Sequence, residues 1–126
     1  MAYSSASTLY ARLGGYDAIA AVADDLLPRL VSDAQLGRFW AHRGADGVRR
    51  EKQLLVNFLS ASAGGPVYYT GRDMVMTHKG MKISDSDWRR FLDHLRATLD
   101  KFRVPEPERR EVLAFVESTK AAIVEA

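Results

Sequence analysis

Cysteine is absent from the 126 residues. Its absence excludes a disulfide scaffold, a thiolate zinc site, an iron–sulfur cluster and a cysteine nucleophile, and it suits a reducing compartment. Long apolar runs are missing too: the longest are a few residues, far short of the roughly 18 that span a bilayer. Met1 to Thr8 is small and polar, with neither a basic opening nor an apolar stretch behind it, so nothing there resembles a signal peptide. The expectation is a cytoplasmic protein without membrane attachment. Charge of one sign is not in excess. Eighteen Lys and Arg face 16 Asp and Glu, a formal +2, too slight to make nucleic acid the default partner. Neither a G-x-x-x-x-G-K-[ST] phosphate loop nor an H-E-x-x-H zinc motif occurs.

Hydrophobic residues make up 47% and charged residues 27%, values of an ordinary globular fold. The length suits one domain over 1–126, with 1–7 as a flexible extension. Apolar residues recur at helical spacing almost throughout: Ile19, Val22, Leu26 and Leu30; Leu54, Leu55, Phe58 and Leu59; Trp88, Phe91, Leu92, Leu95, Leu99 and Phe102; Val112, Phe115, Val116, Thr119 and Ile123. No stretch alternates long enough for a strand. The fold class is all-α.

Punctuation sets the boundaries. Gly14-Gly15 divides a short helix around Leu9 to Leu13 from a long one, inside which Pro28 should cost a backbone bond and bend the axis. Ser84 with Asp87 reads as a helix start. Pro105 and Pro107 suit the opening of the last helix. The pairs Asp24-Asp25 and Asp85 with Asp87 read as capping and solvated groups. Arg49-Arg50 and Arg89-Arg90, interleaved with acids, read as a solvated face. Between the second and third apolar faces, Gly64 to Gly80 is too broken for more than a stub of helix near His78. Irregular segments of this length serve a function or wrap around something.

Three histidines, His42, His78 and His94, lie on three separate elements, which does not suit a zinc site of about three protein ligands. Haem iron needs one axial imidazole and apolar walls. His78 has Met74 and Met81 nearby as soft wall residues, with Arg72 and Lys79 close enough to meet propionates. A histidine beside methionines is still more often a packed core residue, so the surrounding motifs decide.

Those motifs are Thr8-Leu9-Tyr10-Ala11-Arg12-Leu13-Gly14-Gly15, Phe39-Trp40, Phe58-Leu59 leading to Gly64-Gly65-Pro66, Tyr69-Thr70-Gly71-Arg72-Asp73-Met74, His78-Lys79-Gly80-Met81-Lys82-Ile83 and His94-Leu95. Together they resemble the group I truncated haemoglobins from Thr8 to Val124. The resemblance implies a two-over-two helical sandwich enclosing haem, with His78 as the proximal iron ligand. It places Trp40 against the haem where relatives usually carry phenylalanine, with Phe39 as core behind it. Leu54, Leu55 and Phe58 fall on the distal helix. Met74, Ile83, Phe91, Leu92 and Leu95 fall along the haem or its wall, and Arg72 and Lys79 at the propionates. His94 is read as a non-ligand.

The distal side departs from the family. Where many relatives carry a tyrosine and a glutamine that donate hydrogen bonds to bound oxygen, this chain has Leu27 and Leu55, with Glu51 one turn before Leu55. A hydrogen bond to a charged group is worth about 1.5–3 kcal/mol, so losing such a donor raises oxygen dissociation by roughly ten-fold or more. Lys52, Gln53 and His42 are the polar residues that could still reach the pocket if the helix begins elsewhere. Four functions follow: reversible binding of oxygen, nitric oxide or carbon monoxide, in the class of oxygen carriers; nitric oxide dioxygenation, which needs a reductase; redox or gas sensing; and a helical interaction module without cofactor. A monomer is expected, since no extra apolar patch is evident.

Overall fold

Helices form where the apolar period runs, and they stop at the punctuation. In the computed structural model, which describes residues 8–41, 44–65, 78 and 80–125, α1 (Leu9–Leu13) opens on Thr8, whose hydroxyl accepts the Ala11 amide at 3.1 Å. It closes on Gly14, left-handed at φ 109°, a conformation that favours glycine. α2 (Gly15–Ser32) follows at once and runs through Pro28. That proline is exposed, and it removes one N–H from the ladder of a helix that nonetheless continues to Ser32. After α2 the chain makes a 3-10 turn (Leu36–Trp40), then α3 (Ala45–Ser62), α4 (Asp85–Lys101), α5 (Glu106–Glu117) and α6 (Lys120–Ile123). No strand occurs among the described residues.

α4 has the expected start. Ser84 Oγ accepts the Asp87 amide at 3.1 Å while Asp87 Oδ2 accepts the Ser84 amide at 2.9 Å, a reciprocal capping box. α5 begins after Pro105 with Pro107 in its first turn. The last apolar face is divided, because α5 ends at Glu117 and α6 starts at Lys120.

The main core joins Leu26, Leu27 and Leu30 of α2, Leu36, Trp88, Leu92, Leu95 and Leu99 of α4, and Val112 and Val116 of α5. A smaller cluster of Ile19, Ala23 and Val56 seats α3 on α2, and Leu55 packs on both. α1 closes one end. The Tyr10 amide bonds the Ala63 carbonyl at 2.9 Å, and the Tyr10 ring lies where a Cβ on Gly65 would come within 2.4 Å of it. Arg12 then reaches Glu108 at 2.7 Å and Glu111 at 2.5 Å on α5.

Two sequence expectations are overturned. Phe102, read as core, is 41% exposed: α4 ends at Lys101, so the helical period no longer governs its direction. The acidic residues read as solvated are not all so. Asp87 is 1% exposed and takes Arg38 Nη2 at 2.7 Å and Gln35 Nε2 at 2.5 Å. Asp25 accepts from Thr98 Oγ1, Lys101 Nζ and Arg29 Nε at 2.8, 2.8 and 2.7 Å. Tertiary partners 49 to 76 residues away bury them, and those partners leave no local signal.

Candidate functional site

α3 presents Glu51, Leu54, Leu55 and Phe58 at three- and four-residue spacing, all half-buried. Leu55 packs on both buried clusters, and Leu54 and Phe58, one turn apart, continue the same half-buried apolar face. Across the core, Leu27 is 3% exposed among Leu26, Leu30 and Leu36, and no donor stands at its position. On α4, Leu95 is buried and Phe91 is half-buried, with its ring 5.4 Å from Trp88. Leu92 lies in the main core. Ile83 is buried just before the α4 cap.

The 3-10 turn delivers Trp40, which meets Phe39 edge-on at 6.4 Å and packs on the main core. Arg38 covers the Phe39 ring at 4.2 Å. The turn owes its position to buried carboxylates. Asp33 Oδ1 accepts the amides of Gln35 and Leu36 at 2.7 and 3.0 Å, and Arg90 Nε at 3.0 Å. Asp33 Oδ2 meets His94 Nε2 at 2.7 Å. His94, foremost, with Arg90 and the two amides, holds the Asp33 carboxyl well below the usual range against the opposing cost of burial. Arg38 does the same for Asp87, and Lys101 with Arg29 and Thr98 for Asp25. None of these contacts was legible in the sequence, although an acid at the end of α2 with a Gln-Leu pair behind it is a local turn signal.

His78 is helical and half-buried, and its carbonyl accepts the Met81 amide at 3.1 Å. Met81 is half-buried too. Of the polar residues considered for the distal side, two have other partners. Gln53 is exposed and donates to Tyr16 Oη at 2.5 Å and Asn57 Oδ1 at 3.1 Å, while Lys52 bridges to Asp24 at 2.6 Å. Arg72, Met74, Lys79 and His42 lie outside the described residues, as does the extension 1–7.

These residues fit a flat apolar macrocycle with one axial ligand. Leu54, Leu55 and Phe58 offer an apolar wall along one face of α3. Among the described residues no cluster of three or more His, Cys, Asp or Glu could cage a metal ion by itself, whereas a macrocycle brings its own in-plane donors. Among the described residues the buried indole N–H of Trp40 has no acceptor, which leaves it able to donate to a bound group.

Comparison with known proteins gives the family. The model of the bacterial-like globins matches residues 8–125. A group 1 truncated haemoglobin of Nostoc sp. (strain MUN 8820) is 32% identical over 118 residues, covering 94% of this chain and 98% of the relative. One from Mycolicibacterium paratuberculosis is 30% identical over 110 residues, covering 87% and 79%. Among solved structures, a variant of the truncated haemoglobin of Tetrahymena pyriformis in its Fe(III) form superimposes with a TM-score of 0.86 at 26% identity, over 95% of this chain and 100% of that one. The hemoglobin of Chloroflexus aurantiacus gives 0.82 at 23% identity and shares the fold. With an all-helical chain and two-over-two globins as its structural neighbours, the chain belongs to the bacterial-like globin family as a group 1 truncated haemoglobin, and its cofactor is haem.

Proposed function

We propose that this globin takes its diatomic ligand on an apolar distal side and releases oxygen quickly, with His78 as the proximal imidazole. The observation that carries the reading is the pairing of Leu27 with Leu55, buried and half-buried, where relatives place donors. Haem, when bound, would supply an iron able to take oxygen, nitric oxide or carbon monoxide. The protein does the rest. His78 would hold the iron through one ring nitrogen, with the other ring nitrogen donating a hydrogen bond that fixes the ring's orientation. Leu54, Leu55 and Phe58 exclude water from the opposite face, with Trp40, Ile83, Phe91 and Leu95 as further walls. Glu51 sits at the edge of the distal face, and Arg72 and Lys79 serve the propionates. Gln53 and Lys52, held by Tyr16 and Asp24, take no part.

The test is His78→Ala. Loss of the Soret band, or of the histidine-ligated ferrous spectrum, is expected; a variant that binds haem with an unchanged spectrum would sink the assignment. Against the ferrous wild type, one broad visible band marks an open sixth position and split, sharp bands an internal ligand.

A second reading, nitric oxide dioxygenation, is favoured by one feature. A cavity of about 230 Å³, bounded by Ile19, Val22, Leu26, Leu59 and Phe91, extends to Leu55 and gives an apolar gas room beside the distal face. Nitrate formation consumes one oxygen molecule, one nitric oxide and one electron, leaving the iron oxidised, so turnover calls for a reductase. Mixing the oxygenated ferrous protein with nitric oxide should yield stoichiometric nitrate, and its absence would end this reading. A cytoplasmic monomer completes the proposal. Among the described residues, no helix is long and apolar enough to cross a membrane.

A further inference from the structure

The backbone between His78 and α4 has no helical ladder, so each of its amides needs an acceptor from elsewhere. The Met81 amide returns to the His78 carbonyl, and the Ser84 amide goes to Asp87. The amides of Gly80 and Lys82 are both taken by one side chain more than forty residues ahead. Glu125 Oε2 accepts the Gly80 amide at 3.1 Å and Oε1 accepts the Lys82 amide at 2.8 Å. The Glu125 amide in turn donates to the Ile83 carbonyl at 2.9 Å.

The segment so held is not one that relaxes into place unaided. Gly80 has φ 85° and Lys82 φ 54°, the latter a left-handed conformation that a lysine adopts only when its surroundings impose it. The anchor is itself fixed. Lys120 of α6 pairs with Asp85 at 2.8 Å, the Val124 amide bonds the Lys120 carbonyl at 2.8 Å, and Ile123 and Val124 pack on the main core. A carboxylate on such a base gives two charge-assisted bonds in one geometry.

We propose that Glu125 is a positioning residue: by gripping the amides of Gly80 and Lys82 it sets the height and rotation of the His78 imidazole against the haem iron. This rests on the reading of His78 as the proximal ligand. Backbone two and four residues beyond His78 is pinned, and the turn between them closes on the His78 carbonyl. A shift of Glu125 therefore passes to the ring through very little slack.

Glu125→Ala, Glu125→Gln and Glu125→Asp test it, with Glu117→Gln as a control that removes an exposed acid of α5 and leaves Lys120 and the Glu125 carboxylate in place. In haem-free protein, hydrogen exchange at Gly80 and Lys82 should quicken roughly ten-fold in Glu125→Ala, with α2 and α4 amides unchanged. In the ferrous protein, the iron–histidine stretching band should shift down and broaden, and haem transfer to an acceptor globin should speed up several-fold. Glu125→Gln, whose NH2 end opposes one of the two amides, should fall midway, and Glu125→Asp should recover part of the loss. If Glu125→Ala does not keep haem, Glu125→Gln decides. An unmoved band, faster exchange without a band shift, or an equal shift in Glu117→Gln would each overturn the proposal. Failure of the His78 reading would show separately, as a histidine band surviving in His78→Ala.

Discussion

The two sides of α4 are built on opposite rules. One side carries Asp87, Arg90, His94, Thr98 and Lys101, and every one of them bonds to the 3-10 turn, to Asp33 or to α2. The other carries Trp88, Phe91, Leu92, Leu95 and Leu99, apolar throughout. Directional bonds on the first side fix which way the helix faces, and burial on the second supplies the bulk of the cohesion. The site reads the same way. Its scaffold is latched by charged groups, and on the reading proposed above its distal wall is made by Leu27 and Leu55.

Acid should strike this division hardest, because it attacks three latches at once. Asp25, Asp33 and Asp87 are all held below their ordinary range by their partners. Their unfolded values lie near 3.9, so the stabilisation is complete above about pH 5 and is lost as pH falls through the lowered folded values. The urea midpoint should hold from pH 7 to 5 and drop steeply by pH 3; a flat profile would mean that the latches contribute nothing. On the apolar side, Leu95→Ala should cost about 3 kcal/mol, within the 2–5 expected of a buried leucine, read from urea unfolding of the haem-free protein. On the latched side, Asp87→Ala strands Arg38, Gln35 and the Ser84 amide and should cost about 2 kcal/mol, since Arg38 is half-exposed and water replaces part of the loss. A cost near zero would break the comparison. Leu27→Tyr restores a donor to the pocket and should slow oxygen dissociation by roughly ten-fold in stopped flow. An unchanged rate would place position 27 away from the ligand.

Legibility followed range along the chain. The boundary at Gly14, the Ser84–Asp87 box and the Pro107 start could be read directly, because each is decided within four residues. The same Asp87 was misread in its larger role: its partners at 35 and 38 lie on another element, and nothing local announces that α4 will be packed there. Phe102 went wrong because periodicity presumes a continuing helix. At the site, the burial of Leu27 and the half-burial of Leu55 follow from the helical period, while their distal role is the proposal made above. For Gln53 the direction was not, since a single residue of uncertainty in where α3 begins rotates the side chain by about 100°; the fold resolves it by offering Tyr16 as a partner. Glu125 gave no signal at all, being a lone acid behind the apolar Ala121-Ala122-Ile123-Val124, with both of its amide partners more than forty residues earlier.

Five residues are too few to sustain a helix in water, yet α1 is formed, by virtue of Tyr10 against Gly65 and Arg12 between Glu108 and Glu111. Its existence therefore presupposes that α3 and α5 already stand. In the kinetics of self-assembly this makes α1 a late arrival: truncating Tyr10 should leave the refolding rate nearly untouched and appear almost wholly as faster unfolding, with φ-values close to zero.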